Sequence, residues 1–166
     1  MTAALFSRGK ASRAAAAACA VTLGLVALTA CDKPTPLATV TVGSSTKTAE
    51  ATKGCWGDGD TLPESTIKDC LNKDTGKTLT VHAGQKVRIG VDPEIAEDGW
   101  FAATSTPLMN KPSKDTYRTF DGETLFQRKN QMGQTEVVNE VNLAIVQLGE
   151  KDGVKGVWHF KLKLED

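Results

Sequence analysis

The chain has 166 residues, 24% of them charged, with 20 Lys/Arg set against 20 Asp/Glu and a formal net charge of zero. Charge so evenly matched and interspersed gives no sign of the clustered basic residues that nucleic-acid binding requires, so no nucleic-acid partner is expected. Two histidines and four cysteines leave little material for a metal centre.

The N-terminal region reads as an export signal. Arg8, Lys10 and Arg13 precede the apolar run AAAAACAVTLGLVAL (14–28), with no acidic residue before Asp32. That run is short for a membrane span, which takes about 20 apolar residues. An ordinary signal peptidase needs small residues at −1 and −3, and Leu28 is bulky. LTAC (28–31) instead resembles the lipobox of bacterial lipoproteins. The resemblance implies cleavage before Cys31, which becomes the lipid-modified N-terminus; the alternative is a plainly secreted protein with an unused thiol. Residues 1–30 are then a lipoprotein signal peptide and 31–37 a lipidated tether, DKPTP keeping its start extended. Residues 38–166 form a single domain, with 38–54 expected to be partly flexible.

An exported chain meets oxidising conditions. Cys55 and Cys70, separated by Gly57, Gly59 and Pro63, suit a local disulfide. Closing such a loop contributes about 3 kcal/mol in the chain-entropy view. Cys19 lies inside the signal.

Period-two alternation dominates the rest. ATVTV (38–42) is a candidate first strand, and GSSTKTAEATKG a strand with loops or a mobile connection. TLTVHA sends Leu79, Val81 and Ala83 inward, and KVRIGVD sends Val87, Ile89 and Val91 inward. AGQ (83–85) carries hairpin turn chemistry between them, as EKDGVKG (150–156) does later. DPEIAED reads as one helical turn with Asp92 capping and Pro93 at its first position. WFAATST and TYRTF are plausible strands. EVVNEVNLAIVQLG fits either a helix face or a strand, and its β-branched content favours a strand. VWHFKLKL places Trp158, Phe160, Leu162 and Leu164 inward and His159 on the wet face. The fold class expected is all-β, an antiparallel β-sandwich of immunoglobulin-like architecture with one local disulfide. A true immunoglobulin domain would bridge its sheets around a core Trp, whereas this cysteine pair is local and Trp100 lies outside it.

HAGQKVRIGVDPEIAEDGW, TYRTFDGETLF and GVWHFKLKL together resemble a group of actinobacterial lipoproteins carrying a domain of unknown function, from about Ala38 onward. The resemblance implies a lipid anchor and an all-β fold, and it implies no catalytic residues.

Candidate chemistry is sparse. His82 and His159 both fall on polar strand faces, and no GxSxG elbow accompanies them. Met109 or Met132 could join the histidines in a copper site only with a free thiolate nearby. DGDTLPE offers Asp58, Asp60 and Glu64 but breaks the calcium-loop spacing at Leu62. Trp56 either packs on the disulfide or stands exposed as a contact residue, and packing is favoured. The expectation is a non-enzymatic extracytoplasmic lipoprotein without cofactor, metal site or catalytic residue, anchored to the cell membrane through Cys31. Its partner would be an envelope protein or glycan. The alternative is an accessory enzyme or a metal-handling surface protein.

Overall fold

A computed structural model describes residues 34–165. In chain order these form β1 (Ala38–Val42), β2 (Ser45–Ala49), α1 (Glu64–Leu71), β3 (Lys77–His82), β4 (Lys86–Val91), α2 (Pro93–Asp98) and β5 (Trp100–Ala103). There follow β6 (Tyr117–Asp121), α3 (Gly122–Leu125), β7 (Gln127–Lys129), β8 (Thr135–Val137), β9 (Glu140–Leu148), a 3-10 turn (Glu150–Asp152) and β10 (Val154–Glu165).

The strands form two open four-stranded sheets, ordered β2-β1-β4-β6 and β3-β10-β9-β5, and a separate β7-β8 ribbon. Alternation explains the first sheet. Val40, Val87 and Ile89 point inward from β1 and β4, while Lys86 and Arg88 are exposed. Those inward residues meet Trp100, Leu143, Ile145, Trp158, Phe160 and Leu162 of the second sheet in one core. Each such side chain, fully buried, contributes about 1.5–3 kcal/mol.

The second sheet is covered on its other face as well. Ala144 and Val146 of β9 and Val157 of β10 pack there against Cys55, Leu62 and Cys70, with Ile67 of α1 alongside. Residues 144–147 and 156–160 are consequently buried without interruption. A strand covered on both faces shows a continuous apolar run rather than alternation. That double cover explains why the β9 segment also fits a helical pattern.

The expected all-β, antiparallel, immunoglobulin-like sandwich is therefore incorrect. Three helices interrupt the strands, the sheets are open, and β3 runs parallel to β10, pairing Lys77 with Phe160 and His82 with Glu165. The AGQ turn joins no hairpin, because β3 and β4 lie in different sheets. At this corner Gln85 supplies the bonds a hairpin partner would give. Its side-chain Oε1 accepts the His82 N–H at 3.0 Å, and its carbonyl accepts the Gly122 N–H at 2.9 Å. A Cβ at Gly122 would stand 2.5 Å from that carbonyl oxygen, so only glycine permits the approach. Ala83, expected inward, is exposed just past the end of β3.

Other elements follow their local signals. The 150–156 segment does connect an antiparallel pair, β9 and β10. Pro93 opens α2, although Asp92 does not cap it through its side chain: its Oδ2 accepts the Leu37 N–H at 2.7 Å. Ser45–Ala49 is a strand at the edge of the first sheet.

Candidate functional site

Cys31 lies outside the described residues. Cys55 and Cys70 are joined by a disulfide, their Cα atoms 5.7 Å apart. It ties the segment before α1 to the helix's last turn and holds both against β9 and β10. Trp56, next along, is half-buried and meets Trp158 edge to face, ring centroids 5.9 Å apart.

The two histidines are separate. His82 is exposed opposite Glu165. His159 lies six residues back along β10, roughly 20 Å away at strand spacing. The expectation of a solvated His159 is incorrect, because the side chain is 3% exposed. Alternation does send it away from the main core, but the disulfide-linked segment covers that second face. Its Nδ1 is hydrogen-bonded to the Thr52 hydroxyl at 2.8 Å, while Nε2 is buried without a partner. Burial, and then the positive charge of Lys73, hold its pKa below the ordinary value of 6.5. The ring is neutral at pH 7.

Two clefts open beside this ring, and Lys73 and His159 line both. The larger, about 440 Å³, lies along β9 and also takes in Thr104, Arg128 and Asn142. The Thr104 Oγ1 is a second buried polar atom without a partner. The smaller, about 390 Å³, is bounded by Glu50, Thr52, Lys53 and Lys77.

The local structure explains why these groups converge. Lys73 follows the end of α1, where its Nζ donates to the Lys53 carbonyl at 2.6 Å. Lys77 begins β3, and its Nζ donates to the Thr48 carbonyl at 2.6 Å. Thr52 is fixed by its own N–H, which donates to the Val157 carbonyl at 2.8 Å. Sequence reasoning missed Thr52, Lys53, Lys73 and Lys77, because nothing local marks them. The signal that was present is α1 itself, with Pro63 before it and Ile67, Cys70 and Leu71 at helical spacing.

The remaining candidates do not assemble. Met109 packs half-buried against the main core, and Met132 is exposed between β7 and β8. Asp58 and Asp60 are exposed, and Glu64 pairs with Lys68 at 3.1 Å on α1. Among the described residues no three His, Cys, Asp or Glu side chains group closely enough to hold a metal ion. No helix among them is long and apolar enough to cross a membrane. No family model, curated protein or solved structure matches the chain.

Proposed function

We propose that this chain is an extracytoplasmic lipoprotein, held to the membrane by lipid on Cys31, whose domain binds a ligand rather than transforming one. The observation that carries the binding half is the His159 environment. A buried imidazole, its Nδ1 bonded to the Thr52 hydroxyl and its Nε2 without a partner, forms part of the wall of two clefts. A concave site lined by a few fixed polar groups is the usual form of a recognition site. Among the described residues no carboxylate is hydrogen-bonded to the ring, so the orienting partner of a catalytic triad is missing. LTAC and the preceding basic and apolar segments support the anchor. Two acyl chains hold a protein stably where one is marginal.

The test is to replace Cys31 by Ser in the full chain and follow incorporation of a labelled fatty acid in a bacterial host. Labelling should be lost and the precursor should stay uncleaved at this site. A Cys31→Ser chain that stays labelled and membrane-bound would remove the anchor from this reading.

A further inference from the structure

The lysines around His159 differ from five others among the described residues. Lys68, Lys86, Lys155, Lys161 and Lys163 each face a carboxylate. Lys53, Lys73 and Lys77, which share the smaller cleft, have no ion-pair partner among the described residues. Two of their ammonium groups rest on backbone carbonyls. One carboxylate, Glu50, lines the same cleft, so positive charge is in excess. His159 stands in the wall of the same cleft, its Nδ1 sharing a hydrogen bond with the Thr52 hydroxyl.

We propose that the clefts at Lys73 and His159 bind a phosphomonoester, carried by a small ligand or by a lipid headgroup at the membrane surface. Three ammonium groups suit oxygens spread over a tetrahedron better than the two coplanar oxygens of a carboxylate. A phosphomonoester carries a charge of about −1.5 to −2 at pH 7, and lysine is a recurrent partner for it. The headgroup source deepens the anchored-module reading and rests on it. The Thr35 hydroxyl accepts the Ala51 N–H at 2.9 Å, one residue from the Thr52 that holds His159. Thr35 lies four positions after Cys31, a covalent reach of at most about 14 Å.

The experiment has two arms. In the first, the full chain in neutral detergent is titrated with inorganic phosphate while the His159 ring is followed by NMR. Phosphate should raise the His159 pKa. It should bind about tenfold more weakly to Lys73→Ala, and equally well to Lys68→Ala, whose site on α1 lies outside the clefts. In the second, Cys31→Ser chains lacking the signal residues 1–30 are mixed with phosphatidylcholine vesicles with or without phosphatidic acid, so that neither lipid nor signal contributes to attachment. Attachment that requires phosphatidic acid and weakens in Lys73→Ala supports the proposal with the headgroup as source. A Lys73-dependent phosphate response without vesicle preference supports it with a soluble source. A response equal in Lys73→Ala and Lys68→Ala means an adventitious ion only and overturns it. So does no response in either arm. A phosphate response in a chain that fails the fatty-acid test retires the anchor alone; the reverse pair of results retires the ligand alone.

Discussion

The two sheets share one core but differ in what covers their backs. The first is covered on one face, so β1 and β4 alternate between buried positions and half-buried or exposed ones. The second carries the disulfide-linked segment on its outer face, and the middle of β9 and β10 is buried on both sides. Periodicity reports how many faces are wet, not merely that a strand exists. A polar residue in a doubly covered strand, such as His159, is therefore misread as solvated.

Four perturbations sharpen this contrast. The largest effect belongs to the shared core: Phe160→Ala should cost about 3–5 kcal/mol in chemical denaturation, enough to unfold much of the population. Next comes the cover of the second sheet. Replacing Cys55 and Cys70 together by Ala should cost about 3 kcal/mol and increase hydrogen exchange at 144–147 and 156–160 more than in β1 or β4. An even response across both sheets would contradict a local cover. His159→Ala should be smaller, about 1–3 kcal/mol, through the lost Thr52 bond and the space left behind. Arg88→Ala, on the open face of β4, should stay within about 0.5 kcal/mol. Equal costs at His159 and Arg88 would erase the distinction between the two faces.

The buried histidine also makes stability depend on pH. Its folded pKa lies below the unfolded value, so the unfolded chain binds the extra proton as pH falls. This contribution is fully present above about pH 6.5 and is lost as pH falls through the folded pKa. Denaturation midpoints measured from pH 8 down to pH 5 should therefore decline more steeply for the natural chain than for His159→Ala.

Much of the strand content was legible in the sequence, because β1, β3, β4 and the end of β10 keep one face in water. The α2 turn was legible from Asp92 and Pro93. Pairing was not: AGQ looks like a hairpin turn, and only the approach of Gly122 to Gln85 shows it as a corner between sheets. The parallel partnership of β3 with β10 joins segments far apart in the chain, and no local pattern encodes it. The candidate site was illegible for the same reason. Thr52, Lys73 and His159 come from three separate segments, and no local pattern around His159 announces the cover on its face of the sheet.

That long-range partnership sets an order of assembly. β3 cannot finish its sheet until β10 has been made, and β10 also separates β3 from β9. Pairings this distant in sequence form slowly, because the intervening chain must be closed into a loop first. The disulfide loop is local, so oxidation can join Cys55 to Cys70 before the surface they will cover exists. A chain travelling outward unfolded would thus remain open through most of its passage. Its cover would be stapled in advance, ready to settle on β9 and β10 when the final strand arrives.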